Sequence, residues 1–237
     1  MKKSADGAQS GAQPCADCTV RLLAICAALD QDELRELEHL GHYFQYQANE
    51  TVFTQEEIAA SCYNLLEGVM RLYKLLPDGR RQIVGFALPG DFLGIAVNGR
   101  HGISADAVGP VAVCRFDRKS FARFVADRPS VLRRINEFVT RDLTEAQDQM
   151  VLLGRRSAEE KVATFLVKWR DRLAQLGPVS AIMPLPMSRL DIADYLGLTI
   201  ETVSRTFTKL ERDGVIEIVQ GGIRLADPVR AEALAAA

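Results

Sequence analysis

The sequence predicts an α+β protein with an N-terminal antiparallel β-roll, a long helix and a C-terminal winged helix-turn-helix. Three observations indicate this order. Residues 43–117 contain short apolar runs separated by Gly and Pro turns, residues 129–153 repeat apolar side chains every three or four positions, and residues 188–225 have the pattern of two capped helices and a hairpin. A chain of 237 residues has room for two such domains.

The composition is that of a folded protein without a membrane anchor. Hydrophobic residues make up 48% of the chain, but no apolar run is long enough to span a bilayer. The first 14 residues lack the apolar core of a signal peptide, and we expect them to form a mobile tail. The sequence therefore predicts a cytoplasmic protein with no membrane partner. Its net charge of −2 gives no general attraction to nucleic acid, so such binding needs a local basic strip.

Three cysteines near the N-terminus, Cys15, Cys18 and Cys26, form a C-x2-C-x7-C cluster. Two intervening residues allow the first two thiolates to bind one metal centre. Free cysteines are normally buried, so three of them in a polar leader favour metal or iron–sulfur ligation over three unrelated thiols. A fourth ligand has to come from elsewhere, from Cys62 or Cys114. The spacing leaves zinc and iron–sulfur chemistry both open.

The region between the leader and the long helix is predicted to be mostly strands. Short helices are expected near residues 30–39 and 117–126. Strand-like composition marks residues 43–47, 51–54, 63–67, 69–74, 82–86 and 111–116, with turns at Gly68, 77–79, 89–91 and 109–110. Regular short strands of this kind predict a β-sandwich or roll. The three histidines, His39, His42 and His101, are assigned no role.

The long helix has a coiled-coil-like seam, and we expect it to form a dimer interface. The seam consists of Leu132, Ile135, Val139, Leu143, Ala146, Met150 and Leu153. The alternative is that the helix packs on its own domain. Asp142 lies beside the seam, with Glu145 and Asp148 flanking it, so two parallel copies would bring like charges together and weaken the dimer. Ser157 and Glu160 have the spacing that caps a following helix to about Leu176.

The stretch from Ser188 to Gly214 predicts the helix-turn-helix. Ser188 with Asp191 has capping-box spacing, Gly197 suits the left-handed end of the first helix, and Thr199 can cap the second. On the second helix, one face is apolar and is expected to be buried: Val203, Phe207 and Leu210. The opposite face carries Glu201, Ser204, Arg205 and Thr208.

The polar face of the second helix favours double-stranded DNA as a partner over a plain solvated hairpin. In a helix-turn-helix, the N-terminal residues of this helix reach base edges in the major groove. Arginine pairs with guanine, glutamate accepts from cytosine, and serine or threonine contacts thymine. Residues 215–219 and 223–225, with Gly221-Gly222 between them, predict a hairpin that would lie beside the phosphates as a wing.

This order of elements resembles the Crp/Fnr superfamily of bacterial transcription regulators, over about residues 15–228. The block from Leu196 to Arg205 contains an E-x-x-S-R core that resembles the FNR-type recognition helix rather than the cAMP-receptor type. The N-terminal cysteines resemble the FNR cluster in its x7 form, and Cys114 matches its downstream ligand. The similarity is thus to FNR, FnrN and FixK-like regulators. It divides the chain into a leader at 1–29, a β-roll resembling a cyclic-nucleotide-binding domain at 30–128, a dimerisation helix at 129–154 and a DNA-binding domain at 155–237.

The resemblance implies an oxygen-responsive activator and no enzymatic activity. A [4Fe–4S] cluster on Cys15, Cys18, Cys26 and Cys114 would stabilise a homodimer at low oxygen. That dimer would bind a palindrome like TTGAT–N4–ATCAA, with Arg205 on guanine, Glu201 on cytosine and Ser204 at thymine. The residues expected at phosphates are Thr199, Thr202, Arg189 and Lys209. Loops near Pro77–Arg80 would contact RNA polymerase.

Two departures and two alternatives accompany the resemblance. Gly94-Ile95 and Ile103-Ser104 stand where cAMP-binding relatives have Gly-Glu and Arg-Ser, so we expect no cAMP; FNR also has an acidic residue where this chain has Ala146.

One alternative is a FixK-like, thiol-switched or zinc-switched regulator that binds the same site without an oxygen-labile cluster. The other is an iron–sulfur electron carrier or enzyme. The absence of a nucleotide-binding Gly loop, of histidines at ligand spacing other than His39 and His42, and of a clear acid–base cluster disfavours it.

Overall fold

The computed structural model describes residues 8–9, 15–96, 98–178 and 180–236, and it divides into two compact units, Met1–Thr144 and Glu145–Ala237. The division lies inside the long helix. The expected mobile tail falls outside the described residues except at Ala8–Gln9, whose backbone forms a short strand. Within the described residues, no helix combines the length and the apolar character needed to cross a membrane.

The first unit contains the predicted β-roll. Its elements, in order, are β1 (Ala8–Gln9), 3-10 turns at Cys15–Asp17 and Ile25–Ala28, α1 (Gln31–Leu40), β2 (Gly41–Tyr46), β3 (Thr51–Phe53), β4 (Ser61–Glu67), β5 (Met70–Leu75), β6 (Arg81–Ala87), β7 (Phe92–Leu93), β8 (Ser104–Ala107), β9 (Val111–Asp117), α2 (Arg118–Ala126) and α3 (Pro129–Arg155), which continues into the second unit. One antiparallel sheet has the order β1-β2-β9-β4-β7, and the other has the order β3-β8-β5-β6.

Two apolar clusters hold the first unit together. The roll core includes Tyr46, Phe53, Leu65, Met70 and Val113. The second cluster joins the cysteine-bearing segment to the helices and includes Ile25, Leu37, Phe116, Phe121 and Phe138. Burial of side chains of this size stabilises the unit by roughly 1.5–3 kcal/mol each. The second cluster therefore fixes the cysteine segment against the roll and the N-terminal part of α3.

The second unit contains the predicted winged helix-turn-helix. After the end of α3 come α4 (Ala158–Leu176), β10 (Met183–Pro184), α5 (Arg189–Leu196), α6 (Ile200–Arg212), β11 (Ile216–Val219), β12 (Gly222–Leu225) and α7 (Pro228–Ala236). The three strands form an antiparallel sheet in the order β10-β12-β11. Strand β10 and helix α7 are additions to the predicted elements.

The predicted helix ends of the second unit are confirmed. Ser157 and Ser188 each form a capping box, with Glu160 and Asp191 respectively. Thr199 accepts from the backbone N–H of Thr202 at the start of α6. Gly197 ends α5 with φ of 61°, in the left-handed region that glycine adopts without strain.

Candidate metal centre and nucleic-acid interface

The four cysteines that the resemblance singles out line one cavity in the first unit. Cys15 and Cys18 lie at the first 3-10 turn, Cys26 lies in the second, and Cys114 lies on β9. Cys62 is not part of the cavity lining. Of the two candidates for a fourth ligand, the fold thus brings Cys114 to the other three thiols.

The turns between Cys18 and Cys26 are formed by the backbone and by burial. The N–H groups of Leu23 and Ala24 donate to the carbonyl oxygen of Val20 at 2.9 and 3.0 Å. Ala24 and Ile25 are at most 1% exposed, so the segment is anchored in the second apolar cluster. This anchoring carries Cys26 to the cavity wall.

The sheet register places Cys114 at the cavity and keeps the space beside it open. Cys114 pairs with Tyr43 on β2 and with Asn64 on β4, and both of these residues line the cavity. A Cβ atom on Gly41 would lie 2.7 Å from the Cys114 Sγ and 3.0 Å from the Phe116 ring. Only a residue without a side chain fits at this position without moving the sulfur.

Burial raises the pKa of three of the cavity thiols, so Cys15, Cys26 and Cys114 stay protonated when no cation is bound. Burial, followed by the negative charge of Glu38, raises the pKa of Cys15 to about 11. Burial and then the neighbouring Cys15 and Cys18 raise the pKa of Cys26 to about 12. Burial raises the pKa of Cys114 even further, with Cys15 and Cys26 as the next causes. A positively charged centre would favour the thiolates and release these protons on binding.

The donor chemistry of the cavity fits a thiolate-bound centre. Among the described residues, no three Cys, His, Asp or Glu side chains are arranged closely enough to hold a single metal ion. The fit therefore rests on the identity of the donors, which are four cysteine sulfurs in one cavity. Zinc and iron–sulfur clusters both accept four thiolates, so the donor set suits either.

A buried amide on the cavity wall was not predicted. Asn64 on β4 is 1% exposed, and its side-chain nitrogen donates to the Cys26 Sγ at 3.6 Å. Its side-chain oxygen has no hydrogen-bond partner among the described residues. The available signal in the sequence is an asparagine inside the otherwise apolar strand run Tyr63-Asn64-Leu65-Leu66.

Cys62, the other candidate for the fourth ligand, is a buried thiol outside the cavity. It is 3% exposed and belongs to the apolar cluster that also contains Phe116. Its Sγ donates weakly, at 4.0 Å, to the carbonyl oxygen of Phe116. Burial raises the pKa of Cys62 to about 12, so the nucleophilic thiolate is scarce at neutral pH.

In the second unit, the two faces of α6 are arranged as the sequence predicts. Val203, Phe207 and Leu210 are at most 1% exposed. The opposite face is exposed and carries Glu201, Ser204, Arg205 and Thr208. The Glu201 carboxylate accepts from its own backbone N–H and from the Thr199 hydroxyl, and these bonds, with Arg205 nearby, hold the pKa of Glu201 below its usual value. The Ser204 hydroxyl donates to the Ile200 carbonyl oxygen at 2.8 Å.

The residues expected to contact DNA phosphates differ in the partners that their side chains already have within the protein. The hydroxyl groups of Thr199 and Thr202 lie 3.0 Å apart near the start of α6. The Arg189 guanidinium stacks on the Phe207 ring, 3.4 Å from its centroid, and burial lowers the pKa of Arg189. Lys209 forms an ion pair with Glu159 of α4. Arg189 thus packs α5 against α6, and Lys209 would have to exchange its partner to bind a phosphate.

The predicted seam on α3 is partly exposed and partly packed on the protein itself. Leu132, Val139, Leu143 and Met150 have exposures between 44 and 69%, and Ala146 is exposed as well. Ile135 is half-buried against the second apolar cluster. Leu153 is half-buried, and a Cβ on Gly197 would lie 3.2 Å from it. The first five residues therefore form an exposed apolar stripe, and the last two have a packing role.

The remaining predicted positions lie in the β-roll. In the Pro77–Arg80 turn, Asp78 accepts from the backbone N–H and the Nε of Arg80 at 3.0 and 2.7 Å. Ile95 is 47% exposed, while Ile103 packs against the roll core. The Ser104 hydroxyl is fully buried and accepts from the Gln55 N–H at 2.9 Å. At the positions where cAMP-binding relatives have Gly-Glu and Arg-Ser, this chain thus has two apolar side chains, Ile95 and Ile103, and a serine hydroxyl that is already hydrogen-bonded.

Two family models match the chain. "Cyclic nucleotide-binding domain" matches residues 43–128, which span the β-roll and α2. "Bacterial regulatory proteins, crp family" matches residues 185–216, which span the helix-turn-helix.

Similar proteins cover most or all of the chain. The nitrogen fixation regulation protein FixK of Bradyrhizobium diazoefficiens is 63% identical over 237 residues, which is 100% of both chains. The transcriptional activatory protein AadR of Rhodopseudomonas palustris is 60% identical over 93% of this chain and 92% of its own length. Among solved structures, FixK2 from Bradyrhizobium japonicum matches with a TM-score of 0.77 and 38% identity, over 83% of this chain and 98% of that chain.

Proposed function

The chain belongs to the Crp/Fnr family of bacterial transcription regulators, and from this premise we propose that it is a FixK-type activator that binds DNA as a homodimer. Relatives whose names describe nitrogen fixation regulation and transcriptional activation support the activator role. The partners of this function are double-stranded promoter DNA, a second copy of the chain and RNA polymerase, with the Pro77–Arg80 turn as the contact to the polymerase.

The exposed face of α6 reads the bases. Arg205 is an exposed guanidinium that can donate two hydrogen bonds to guanine. Glu201 lies one turn earlier on the same face and accepts from the paired cytosine, and Ser204 contacts thymine. Thr199 and Thr202, near the positive end of the helix dipole, hold a phosphate. The resemblance of this helix to the FNR type implies a palindrome like TTGAT–N4–ATCAA, and we propose this as the site.

A palindrome with two half-sites requires two copies of α6. The exposed apolar stripe of α3 brings two chains together as a dimer. Leu132, Val139, Leu143, Ala146 and Met150 would be buried between two parallel helices. A single half-site binds weakly, so loss of the dimer lowers DNA affinity by orders of magnitude. Control of dimerisation is thus sufficient to control transcription.

The sensing half of the proposal assigns a [4Fe–4S] cluster to Cys15, Cys18, Cys26 and Cys114. The observation that carries it is the meeting of these four thiols in one cavity, although they come from two turns and a distant strand. When bound, the cluster supplies an oxygen-labile link between the four sulfurs. The protein's part is to present the thiolates, to shield them with Ile25 and its apolar neighbours, and to hold the cysteine segment against α3.

A FixK-type regulator without an oxygen-labile cluster is the second candidate. The 63% identity to a nitrogen fixation regulation protein FixK over the full length of both chains favours it. In that case the same four cysteines would act as a thiol switch or hold zinc, and α6 would read the same site.

Metal and sulfide analysis after anaerobic reconstitution distinguishes the two candidates. Iron and acid-labile sulfide in equal amounts, roughly four of each per chain, are the expected result. Zinc alone, or four free thiols with no retained metal, would favour the second candidate. Binding of the palindrome by α6 is tested separately, since both candidates require it.

A further inference from the structure

One polar side chain on the cavity wall, that of Asn64, does not contribute to the stability of the fold. Asn64 is 1% exposed, and its neighbours Tyr63 and Leu65 belong to the roll core. Burial of an amide costs free energy unless its polar atoms are paired. The Asn64 oxygen has no hydrogen-bond partner among the described residues. An apolar side chain of the same size would stabilise this position better.

The other end of the Asn64 amide meets a cysteine. Its Nδ2 donates to the Cys26 Sγ at 3.6 Å. The strand register also places Asn64 directly opposite Cys114, so its amide lies beside a second thiol of the cavity. A metal-bound thiolate has no proton and can only accept hydrogen bonds, so the amide nitrogen is the end that suits it.

We infer that Asn64 is a positioning residue for the iron–sulfur centre: its amide holds the Cys26 sulfur on the cavity wall and makes the centre harder to oxidise. This inference rests on the proposed function. Hydrogen bonds to ligand sulfurs stabilise the more negative, reduced state and so raise the reduction potential. Removal of the donor lowers the potential and speeds the loss of the centre in air.

The test uses the full-length protein and the variants Asn64→Leu and Asn64→Ala, each reconstituted anaerobically with iron and sulfide. Leucine keeps the volume and removes the donor, whereas alanine removes the donor and also opens space beside Cys26. We expect the visible absorbance to bleach in air roughly fivefold faster in both variants, and redox titration to give a lower midpoint potential in both. Leu65→Val lies on the same strand but faces the roll core, and it should bleach at the wild-type rate.

Several results would overturn the inference. A bleaching rate and a midpoint potential in Asn64→Leu that equal those of the wild type would do so. Faster bleaching in Asn64→Ala alone would also do so, because space for oxygen, rather than the hydrogen bond, would then be decisive. An equal acceleration in Leu65→Val would attribute the effect to general destabilisation. If Asn64→Leu fails to fold, an unchanged potential in Asn64→Ala overturns the inference and a lower one supports it. Wild-type protein that retains no iron contradicts the proposed centre itself, together with this inference.

Discussion

The guanidinium of Arg134 on α3 donates a hydrogen bond of 2.9 Å to the backbone carbonyl oxygen of Leu23. Leu23 lies between Cys18 and Cys26, so this bond ties the cysteine segment to the long helix. The Arg134 side chain also pairs with Glu137 at 2.8 Å, and its Nε is buried without a hydrogen-bond partner among the described residues. Any change in the path of the cysteine segment would therefore leave a half-buried cation without its carbonyl partner.

The variant Arg134→Ala should loosen the cysteine segment from α3. It removes a hydrogen bond from a charged donor, and we expect the free energy of unfolding to fall by about 1.5–3 kcal/mol. Urea denaturation measures this loss, and hydrogen exchange should become faster in residues 18–26. Arg133→Ala, which removes the exposed neighbouring arginine, is the matched control. Equal exchange of residues 18–26 in the two variants would show that the Arg134 bond has no anchoring role.

The variant Gly41→Ala should disturb the cavity through Cys114. Its added Cβ would lie 2.7 Å from the Cys114 Sγ, so either β2 or the sulfur has to shift. We expect a loss of about 1–3 kcal/mol in stability and a lower iron content after reconstitution. Gly85→Ala on β6, where an added Cβ meets no atom within 4 Å among the described residues, is the control. Wild-type iron content in Gly41→Ala would mean that the Cys114 sulfur is not a ligand at this position.

The elements that the sequence predicts correctly are those with local causes. The caps at Ser157, Ser188 and Thr199 and the left-handed Gly197 need only a few neighbouring residues, and each is found where expected. Strand β8 was missed because Ser-Ala-Asp-Ala has no β-branched or aromatic residue. Its pairing with β3 and β5 determines its structure instead.

The candidate site depends on long-range pairing, which spacing along the chain does not reveal. The C-x2-C-x7-C pattern indicates three ligands, but it leaves Cys62 and Cys114 equivalent. The register of β9 against β2 and β4 separates them, because it brings Cys114 to the cavity while Cys62 packs among phenylalanines. Asn64 was missed for the same reason. Likewise, only the packed structure shows that Ile135 and Leu153 lie partly against their own units.

The two downstream cysteines should respond differently to substitution. Cys114→Ala removes a sulfur from the cavity, and we expect cluster assembly to fail, with loss of the visible absorbance. Cys62→Ala should retain the cluster, because Cys62 does not line the cavity. It should lower the free energy of unfolding only by the contribution of a small buried side chain. Iron and sulfide analysis of both variants makes the comparison. If the cluster assembles in Cys114→Ala and fails to assemble in Cys62→Ala, Cys62 rather than Cys114 is the fourth ligand.

The variant Arg205→Ala should lose specific DNA binding and keep its fold. Arg205 is exposed on α6, and loss of a bidentate contact to guanine costs about 1–3 kcal/mol of discrimination in each of the two half-sites. We expect affinity for the palindrome to fall to the level of a scrambled duplex in a mobility-shift titration, with an unchanged melting temperature. Arg212→Ala, at the other end of the same helix, should bind as wild type does. Undiminished binding by Arg205→Ala would reject the assignment of the base contact.

DNA binding before and after exposure to air most directly tests the claim that an oxygen-labile centre controls this regulator. Anaerobically reconstituted protein is titrated against a duplex that contains TTGAT–N4–ATCAA, and its visible spectrum is recorded alongside. We predict a broad iron–sulfur absorbance that bleaches in air as specific binding is lost. Equally tight binding in both conditions would contradict the claim: α6 would still read DNA, but oxygen would not be its direct control.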